Sequence, residues 1–311
     1  MTPVIHTQGL SRRFGRTLAL DGVDLDVSEG AVYALVGANG AGKTTLIKIL
    51  MNIFAPTTGK ADVLGVDSLK VSGDVFTRIG YVSENQEMPD WMTAAGMLAY
   101  WRNFYPTWDR GLEQSLVRQL GFPLDRKLKH LSRGQRMKAA FASSLAYRPS
   151  LLVLDEPFSG LDPLVRDELI ETLVDRAPET TIFLSSHDLA EIETFSTHLG
   201  FLEQGHLLFS EDMNTLTNRF REVTVTLADP SALPAQPPPS WLRLERADSV
   251  VRFVHSNVEE ATPAEIAAAF PSARDIALDP MPLRSIFLSI ARSSRVPESP
   301  AVSNQTTGVK A

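Results

Sequence analysis

Short apolar runs alternate with longer amphipathic stretches through residues 1–215. The runs AVYALV at 31–36 and LLVL at 151–154 are continuous, which is typical of strands buried on both faces of a sheet. A third apolar run, TIFL, follows at 181–184. Strands of this kind, separated by helical stretches, favour a largely parallel sheet with helices packed on it. The pattern therefore predicts a first domain over 1–215 with an α/β fold.

The pattern changes after residue 215. Apolar residues alternate with polar ones at 223–227 and 242–244, which predicts short strands on either side of the proline-rich stretch SALPAQPPPS at 231–240. We expect that stretch to be a stiff loop or linker. The region 216–292 is then predicted to be a small α/β appendage.

One helix start and one tail are predicted at the end of the chain. Thr262, Pro263 and Glu265 have the types expected of an N-cap, a first helical position and the acid of a capping box. We therefore expect a helix with Thr262 as its N-cap. Residues 293–311 offer almost nothing to bury, which predicts a disordered tail.

Composition narrows the range of functions. A length of 311 residues has room for about two domains, and the absence of cysteine excludes disulfides and thiolate chemistry. A net charge of −7 is unfavourable for broad adhesion to nucleic acid or anionic lipid, so we expect neither a nucleic-acid partner nor direct lipid binding. We find no secretory signal and no apolar stretch near the ~18 residues needed to cross a bilayer.

A phosphate-binding loop follows the run at 31–36. The sequence GANGAGKT at 37–44 matches the pattern of a glycine-rich loop between a strand and a helix. Glycines let backbone N–H groups converge on phosphate oxygens, Lys43 reaches the β and γ phosphates, and Thr44 can ligate Mg²⁺. The residues predicted to bind the phosphates are Gly37, Ala38, Asn39, Gly40, Ala41, Gly42, Lys43, Thr44 and Thr45.

Two acids and a capped helix complete the candidate chemistry. Asp155 and Glu156 follow the run at 151–154, and carboxylates at the carboxyl end of a parallel strand lie where ligands bind. Asp155 is placed to hold Mg²⁺, and Glu156 to accept a proton from an attacking water. In LSRGQ at 131–135, Ser132 and Gln135 form a capping box, which predicts a second helix start that can bind an anion.

These segments resemble the ATP-binding cassette family. The phosphate loop continues as GANGAGKTT, LSRGQ resembles the signature motif of the family, and LLVLDEP resembles its Walker B strand. SGLD at 159–162 is similar to the D-loop, and SSH at 185–187 to the switch strand and its histidine. Phe14 has the position of the aromatic residue that stacks on adenine. The resemblance implies a P-loop NTPase core with a helical subdomain and an antiparallel β subdomain.

The resemblance also implies an ATP sandwich of two cassettes, either identical or different. Two cassettes of this family face each other head to tail, and the signature of one closes on the γ-phosphate held by the other. Ser132, Gly134 and Gln135 would bind the nucleotide of the partner cassette. Asp162 would connect the two sites.

Catalysis by ATP hydrolysis is implied in the same way, with ATP and Mg²⁺ as cofactors. Lys43, Glu156 and His187 would be the catalytic residues, and His187 would contact the γ-phosphate and help to position the water. Thr44 and Asp155 would hold the metal. A binding module without hydrolysis is disfavoured because Glu156 and His187 are both present.

One position departs from the family pattern. Glu84 stands where the family usually has the glutamine of the Q-loop, and Gln86 follows two residues later. Glutamate offers the metal an oxygen but also brings a charge. Either Glu84 takes the role, or Gln86 does.

A separate transmembrane permease subunit is the partner that the resemblance implies. The aromatic region 91–108 holds three of the four tryptophans. By the resemblance, this region begins the helical subdomain, whose groove with the Q-loop would receive a cytoplasmic helix of that partner. This would place the chain at the cytoplasmic face of the cell membrane. The segment FYPTWD at 104–109 and the short appendage resemble subunits of bacterial exporters of drugs, antibiotics or lipids.

The alternative is an ATP-binding cassette protein that acts on ribosomes or chromosomes. Chromosome-type cassettes carry a long coiled-coil insertion, whereas Thr44 and Leu131 are separated by only 86 residues. Ribosome-type cassettes usually carry two copies in one chain, and this sequence has one. Transport is therefore the favoured hypothesis.

Overall fold

The computed structural model describes residues 3–229 and 237–293. The chain divides into two compact units after Met213. Residues 231–236 of the predicted linker and 294–311 of the predicted tail lie outside the described residues. Within the described ranges, no helix is both long enough and apolar enough to span a membrane.

The first unit combines a parallel sheet, an antiparallel sheet and a group of helices. Its elements in chain order are β1 (Ile5–Phe14), β2 (Thr17–Val27), β3 (Val32–Val36), α1 (Lys43–Leu50), β4 (Thr58–Val63), β5 (Val66–Asp67), α2 (Gly73–Phe76), β6 (Ile79–Ser83), α3 (Ala94–Trp101), α4 (Arg110–Leu120), α5 (Arg133–Leu145), β7 (Leu151–Asp155), α6 (Pro163–Arg176), β8 (Thr181–Ser186), α7 (Leu189–Ile192), β9 (His198–Glu203) and β10 (His206–Asp212).

The larger sheet has the strand order β10-β9-β3-β8-β7-β6. Its strands β9, β3, β8, β7 and β6 run parallel, and β10 is antiparallel to β9. Every residue of β3, β7 and β8 is buried, as the continuous apolar runs predict. Because parallel strands end at the same edge, the residues that follow β3, β6, β7 and β8 meet there.

The other two parts of this unit flank the parallel sheet. The antiparallel sheet has the order β2-β1-β4-β5, and its apolar face shares one core with α1, through residues such as Leu10, Leu20 and Ile47. In the helical part, α5 packs against α3 and α4, and Met97, Leu116 and Phe141 are buried. The predicted α/β fold, with a helical and an antiparallel β subdomain, is confirmed.

The second unit is a small α/β structure. Its elements are α8 (Met213–Arg219), which begins at the boundary, β11 (Arg221–Leu227), β12 (Trp241–Ala247), β13 (Val250–His255), α9 (Thr262–Ala269), β14 (Ala273–Pro280) and α10 (Leu283–Ser293). The sheet has the order β12-β13-β11-β14 and is antiparallel throughout. Trp241 stacks on Phe253 at 4.2 Å and on Phe270 at 5.4 Å between ring centroids, which fills the core.

The predicted start of α9 is wrong by one residue. Ala261 is the N-cap, and Thr262 is already helical with Pro263 beside it. The Thr262 hydroxyl oxygen instead accepts a hydrogen bond from the backbone N–H of Glu259 at 2.8 Å. The side chain therefore closes the turn before the helix rather than capping the helix itself.

Candidate active site

The phosphate loop lies between β3 and α1 at the edge where the parallel strands end. Gly42, the N-cap of α1, has a φ of +113°, which side-chain-bearing residues rarely adopt. A Cβ on Gly37 would lie 2.2 Å from the carbonyl oxygen of Leu202. The loop is thus a backbone cradle that only glycine allows at these two positions, and its N–H groups and the N-terminus of α1 suit a phosphate.

Lys43 lies under this loop and is 4% exposed. Its ammonium group donates to the carbonyl oxygens of Gly37 at 2.6 Å and Ala38 at 3.3 Å. The Lys43 Nζ atom also lies 3.0 Å from Glu156 Oε1, an ion pair without hydrogen-bond geometry. Phosphate oxygens could replace the two carbonyl groups, because the lysine is already at the centre of the loop.

An oxygen-ligand site for a cation is formed where α1 meets the end of β7. The Thr44 hydroxyl donates to Asp155 Oδ1 at 3.0 Å, and Asp155 is 6% exposed. One carboxylate and one hydroxyl, with room for phosphate oxygens and water, is the donor set that Mg²⁺ prefers. The residues present therefore fit Mg²⁺ at Thr44 and Asp155.

Ser185, at the end of β8, was not among the predicted site residues. Its hydroxyl donates to Asp155 Oδ1 at 2.8 Å and accepts from the backbone N–H of Glu156 at 3.0 Å. These two hydrogen bonds fix the Asp155 side chain and the backbone of Glu156. The only sequence signal was the position of Ser185 in the SSH segment, which does not indicate its partners.

Glu156 and His187 form the pair at the centre of this edge. Glu156 has a φ of +50°, a left-handed conformation that costs a residue with a side chain of order 1–3 kcal/mol. Its Oε2 atom lies 2.7 Å from His187 Nδ1. A carboxylate can only accept, so the histidine donates through Nδ1. The Glu156 side chain is 13% exposed and that of His187 43% exposed, which leaves the pair open on the histidine side.

The capping box predicted at the start of α5 is confirmed. Ser132 accepts from the backbone N–H of Gln135 at 3.2 Å, and the Gln135 side chain accepts from the backbone N–H of Ser132 at 3.1 Å. A Cβ on Gly134 would lie 3.1 Å from Val165, so a larger side chain at residue 134 would crowd α6. The first turn of α5 is therefore well fixed, with its positive end exposed at Ser132.

Glu84 and Gln86 line one cavity together, and each also lines a second cavity that the other does not. Glu84 lines a cavity of about 360 Å³ together with Thr44, Asp155 and Glu156. Gln86 lines a groove of about 350 Å³ together with aromatic residues of the helical part. Of the two alternatives for the Q-loop role, Glu84 therefore lies beside the candidate metal ligands.

Hydrogen bonds and an ion pair fix the Glu84 side chain. Glu84 Oε1 accepts from Arg133 Nη2 at 2.7 Å and from the Ser159 hydroxyl at 2.9 Å. The bond from Arg133 is the main cause that lowers the pKa of Glu84. The carboxylate is therefore held in its ionised form beside the candidate metal ligands.

Phe14 and Asp162 have other neighbours. Phe14 is 39% exposed at the end of β1, with the Arg12 guanidinium 4.5 Å from its ring centroid and Phe54 edge-on at 5.3 Å. Asp162 caps α6 by accepting from the backbone N–H of Leu164 at 2.9 Å. The structure thus gathers the candidate residues from the phosphate loop and from the ends of β6, β7 and β8, whereas the contacts described for Phe14 and Asp162 are with other residues.

Known proteins to which this chain is similar include ATP-binding proteins of transport and drug resistance. The family model described as ABC transporter matches residues 20–159. The bacitracin transport ATP-binding protein BcrA of Bacillus licheniformis is 30% identical over 226 residues, which are 71% of this chain and 74% of that protein. The daunorubicin/doxorubicin resistance ATP-binding protein DrrA of Streptomyces peucetius is 33% identical over 215 residues, which are 67% of this chain and 64% of that protein.

Solved structures share the fold. An ATP-binding subunit of an ABC transporter has a TM-score of 0.64 at 24% identity, over 69% of this chain and 92% of that one. A dimeric ATP-binding cassette in a post-hydrolysis state, bound to ADP and Pi, has a TM-score of 0.59 at 20% identity, over 67% of this chain and 98% of that one. At these identities the likeness concerns the fold alone.

Proposed function

The chain belongs to the ATP-binding cassette family of transporters and is an ATPase of that family, and on this premise we propose that it powers an exporter through a separate membrane subunit. The observation that carries the catalytic part of the proposal is the continuous set of contacts from Lys43 through Glu156 to His187, at 3.0 and 2.7 Å. A phosphate ligand, a proton acceptor and a polar group that orients the acceptor are thereby side by side.

Glu156 accepts the proton of the attacking water in this proposal. Its Oε2 is held by His187, which fixes the orientation of the carboxylate, and the strained backbone at Glu156 aims it from the end of β7. Lys43 exchanges its contacts with Gly37 and Ala38 for phosphate oxygens. Lys43 and His187 then face the charge that develops on the transferred phosphoryl group.

Thr44 and Asp155 hold Mg²⁺, and Glu84 takes the Q-loop role beside them. The bound metal supplies positive charge that stabilises the phosphate oxygens of ATP. Ser185 keeps Asp155 oriented by donating to its Oδ1 atom at 2.8 Å. The backbone of the phosphate loop, from Gly37 to Thr45, supplies N–H donors to the phosphates.

Two cassettes enclose the nucleotides between them. The exposed start of α5 presents Ser132 and Gly134, with Gln135 bracing the turn, to the nucleotide of the opposite cassette. Asp162 stands at the start of α6, where it can connect the two sites, and Phe14 offers an exposed ring to adenine. Each site then needs two chains, either two copies of this one or this one and a second cassette.

The groove that contains Gln86 receives the membrane subunit. It is lined by Ile53, Trp101, Tyr105 and Tyr147, and the rings of Tyr105 and Tyr147 stack at 3.8 Å. Rigid aromatic walls are favourable anchors for a partner segment. The names of the similar proteins, bacitracin transport and daunorubicin/doxorubicin resistance, support export as the direction. In this proposal the chain works at the cytoplasmic face of the membrane.

The test is to recover the chain from detergent-solubilised membranes of its source and to identify what accompanies it. We expect a membrane subunit, and an ATPase activity per chain that rises with protein concentration. Ile53→Asp places a charge on an exposed residue of the groove and should lose the membrane subunit while keeping ATPase activity.

Leu69→Asp, at another exposed apolar residue, is the matched control and should keep both. Recovery with ribosomes or chromosomal DNA would favour the alternative class. A specific activity independent of protein concentration would contradict the two-cassette site.

A further inference from the structure

The Glu84 carboxylate joins three segments of the first unit. Its Oε1 atom accepts from Arg133, the first residue of α5, and from Ser159, in the loop between β7 and α6. Glu84 itself follows β6, and its backbone N–H donates to the carbonyl oxygen of Asp155 at 2.9 Å. One oxygen atom thus connects the Q-loop, the signature segment and the D-loop of the same chain.

The Arg133 guanidinium is also fixed on its other side. It lies against Gly160, where an added Cβ would be 3.0 Å from Arg133 Nη1, and Gly160 has a φ of +64°. The Arg133 side chain is 48% exposed, and its Nη2 atom lies 2.7 Å from Glu84 Oε1. The charge of Arg133 is therefore directed at Glu84.

The cavity beside Glu84 has an excess of negative charge. Glu84, Glu87, Asp155 and Glu156 all line it, and Lys48 is the one cation among the described residues that line it. A triphosphate that binds here brings further negative charge. Glutamine would add none at residue 84, whereas the Glu84 carboxylate, which accepts from Arg133 Nη2 at 2.7 Å, adds one. A positive charge that offsets Glu84 is therefore needed for the nucleotide to bind well.

We propose that Arg133 is a positioning residue for nucleotide binding in its own cassette, because it neutralises Glu84 and holds the carboxylate in place beside Thr44 and Asp155. This inference rests on the proposed function, which assigns the cavity to the metal and phosphates of ATP. It assigns the signature segment a second role besides contacting the nucleotide of the opposite cassette. Arg133 thus supplies the positive charge that compensates for glutamate in place of glutamine at residue 84.

A double-mutant cycle tests the pair, since coupling between two residues appears as a departure from additivity. The variants are Arg133→Gln, Glu84→Gln and the combination of both. The measurements are the Kd for ATP without metal, by titration calorimetry, and the KM for MgATP. Arg133→Gln leaves Glu84 uncompensated, so we expect the Kd to rise about tenfold, a size typical of one charge at this range.

Glu84→Gln in the same chain as Arg133→Gln removes the uncompensated charge, so we expect the double variant to return to within about threefold of the wild-type Kd. Rescue of this kind is not expected of a purely structural role. A double variant that binds as weakly as Arg133→Gln, or more weakly, would overturn the inference.

Arg136→Gln is the matched control, because Arg136 lies one turn further along α5 and pairs with Asp90 at 2.9 Å. We expect its Kd to equal that of the wild type, and an equal loss in Arg136→Gln would show a general effect of charge on α5 and overturn the pairing. Melting curves of all variants confirm that they fold.

Lys43→Ala distinguishes a failure of the Arg133 role from a failure of the proposed function. If wild type binds ATP, Lys43→Ala binds it much more weakly and the cycle is additive, only the role of Arg133 fails. If wild type itself does not bind ATP, the proposed function fails with it.

Discussion

The two units of this chain are both built around a sheet, and they differ in the direction of their strands. In the first unit, β3, β6, β7 and β8 are parallel, so the residues that follow them meet at one edge. In the second unit every pair of neighbouring strands is antiparallel. Their ends alternate between the two edges, and Trp241, Phe253 and Phe270 stack in the core.

Because of this difference, we expect side chains at the edge of the parallel sheet to affect catalysis and side chains in the core of the second unit to affect stability. At the edge of the parallel sheet, Asp155, Glu156 and His187 are held by hydrogen bonds between side chains, and Glu156 has a strained backbone. In the second unit the described core is apolar and aromatic. Substitutions at the edge of the parallel sheet should therefore change turnover with little change in stability. Substitutions in the core of the second unit should change stability with little change in turnover.

The largest effect is expected for Glu156→Gln. Loss of a general base lowers turnover by ~10²–10⁴, while the amide keeps the shape of the side chain, so the melting temperature should stay near that of the wild type. The measurement is steady-state ATPase activity with a melting curve. Glu168→Gln, at an exposed acid that pairs with Lys138, is the control and should retain full activity. Near-normal turnover of Glu156→Gln would remove this residue from the role.

Phe270→Ala should reverse the pattern. Phe270 is 1% exposed, and loss of a buried phenylalanine destabilises by about 3–5 kcal/mol. We expect faster hydrogen exchange in β11 and β13, with the turnover number unchanged when the first unit remains folded. Leu288→Ala, at a residue that is 45% exposed, is the control and should alter exchange little. A lower turnover number in folded Phe270→Ala would show that the second unit acts on the site.

A smaller effect is expected for Lys43→Ala. Charge-assisted hydrogen bonds to phosphate are worth about 1.5–3 kcal/mol, so the Kd for ATP should rise roughly 10–150-fold. Titration calorimetry measures this directly, and Lys60→Ala, on the exposed part of β4, provides the comparison. Unchanged affinity would contradict the assignment of the phosphate loop.

Features that depend on neighbours along the chain could be predicted from the sequence. The buried strands β3, β7 and β8 appear as continuous apolar runs, and the two residues of the Ser132–Gln135 capping box are only three positions apart. A local pattern gave a wrong prediction where another hydrogen-bond donor was close to the side chain. Thr262 has the right type for an N-cap, but the N–H of Glu259 takes its hydroxyl oxygen.

Contacts between distant residues could not be predicted in this way. Ser185 and Asp155 are 30 residues apart in the chain, and Glu84 is 49 residues from Arg133 and 75 from Ser159. Each residue is visible in the sequence, and Glu84 departs from the family pattern. Their partnership was not visible, because polar side chains at these separations follow no periodic rule.

The sequence by itself determined the positions of the buried strands along the chain, the phosphate loop and the family, because each depends on local spacing or on motifs in a given order. Only the tertiary structure decided that Glu84, rather than Gln86, lies beside Thr44 and Asp155, and that Arg133 offsets its charge. The reason is physical. Electrostatic energy depends on distances in space, and the parallel sheet sets those distances when it brings the ends of separate strands to one edge.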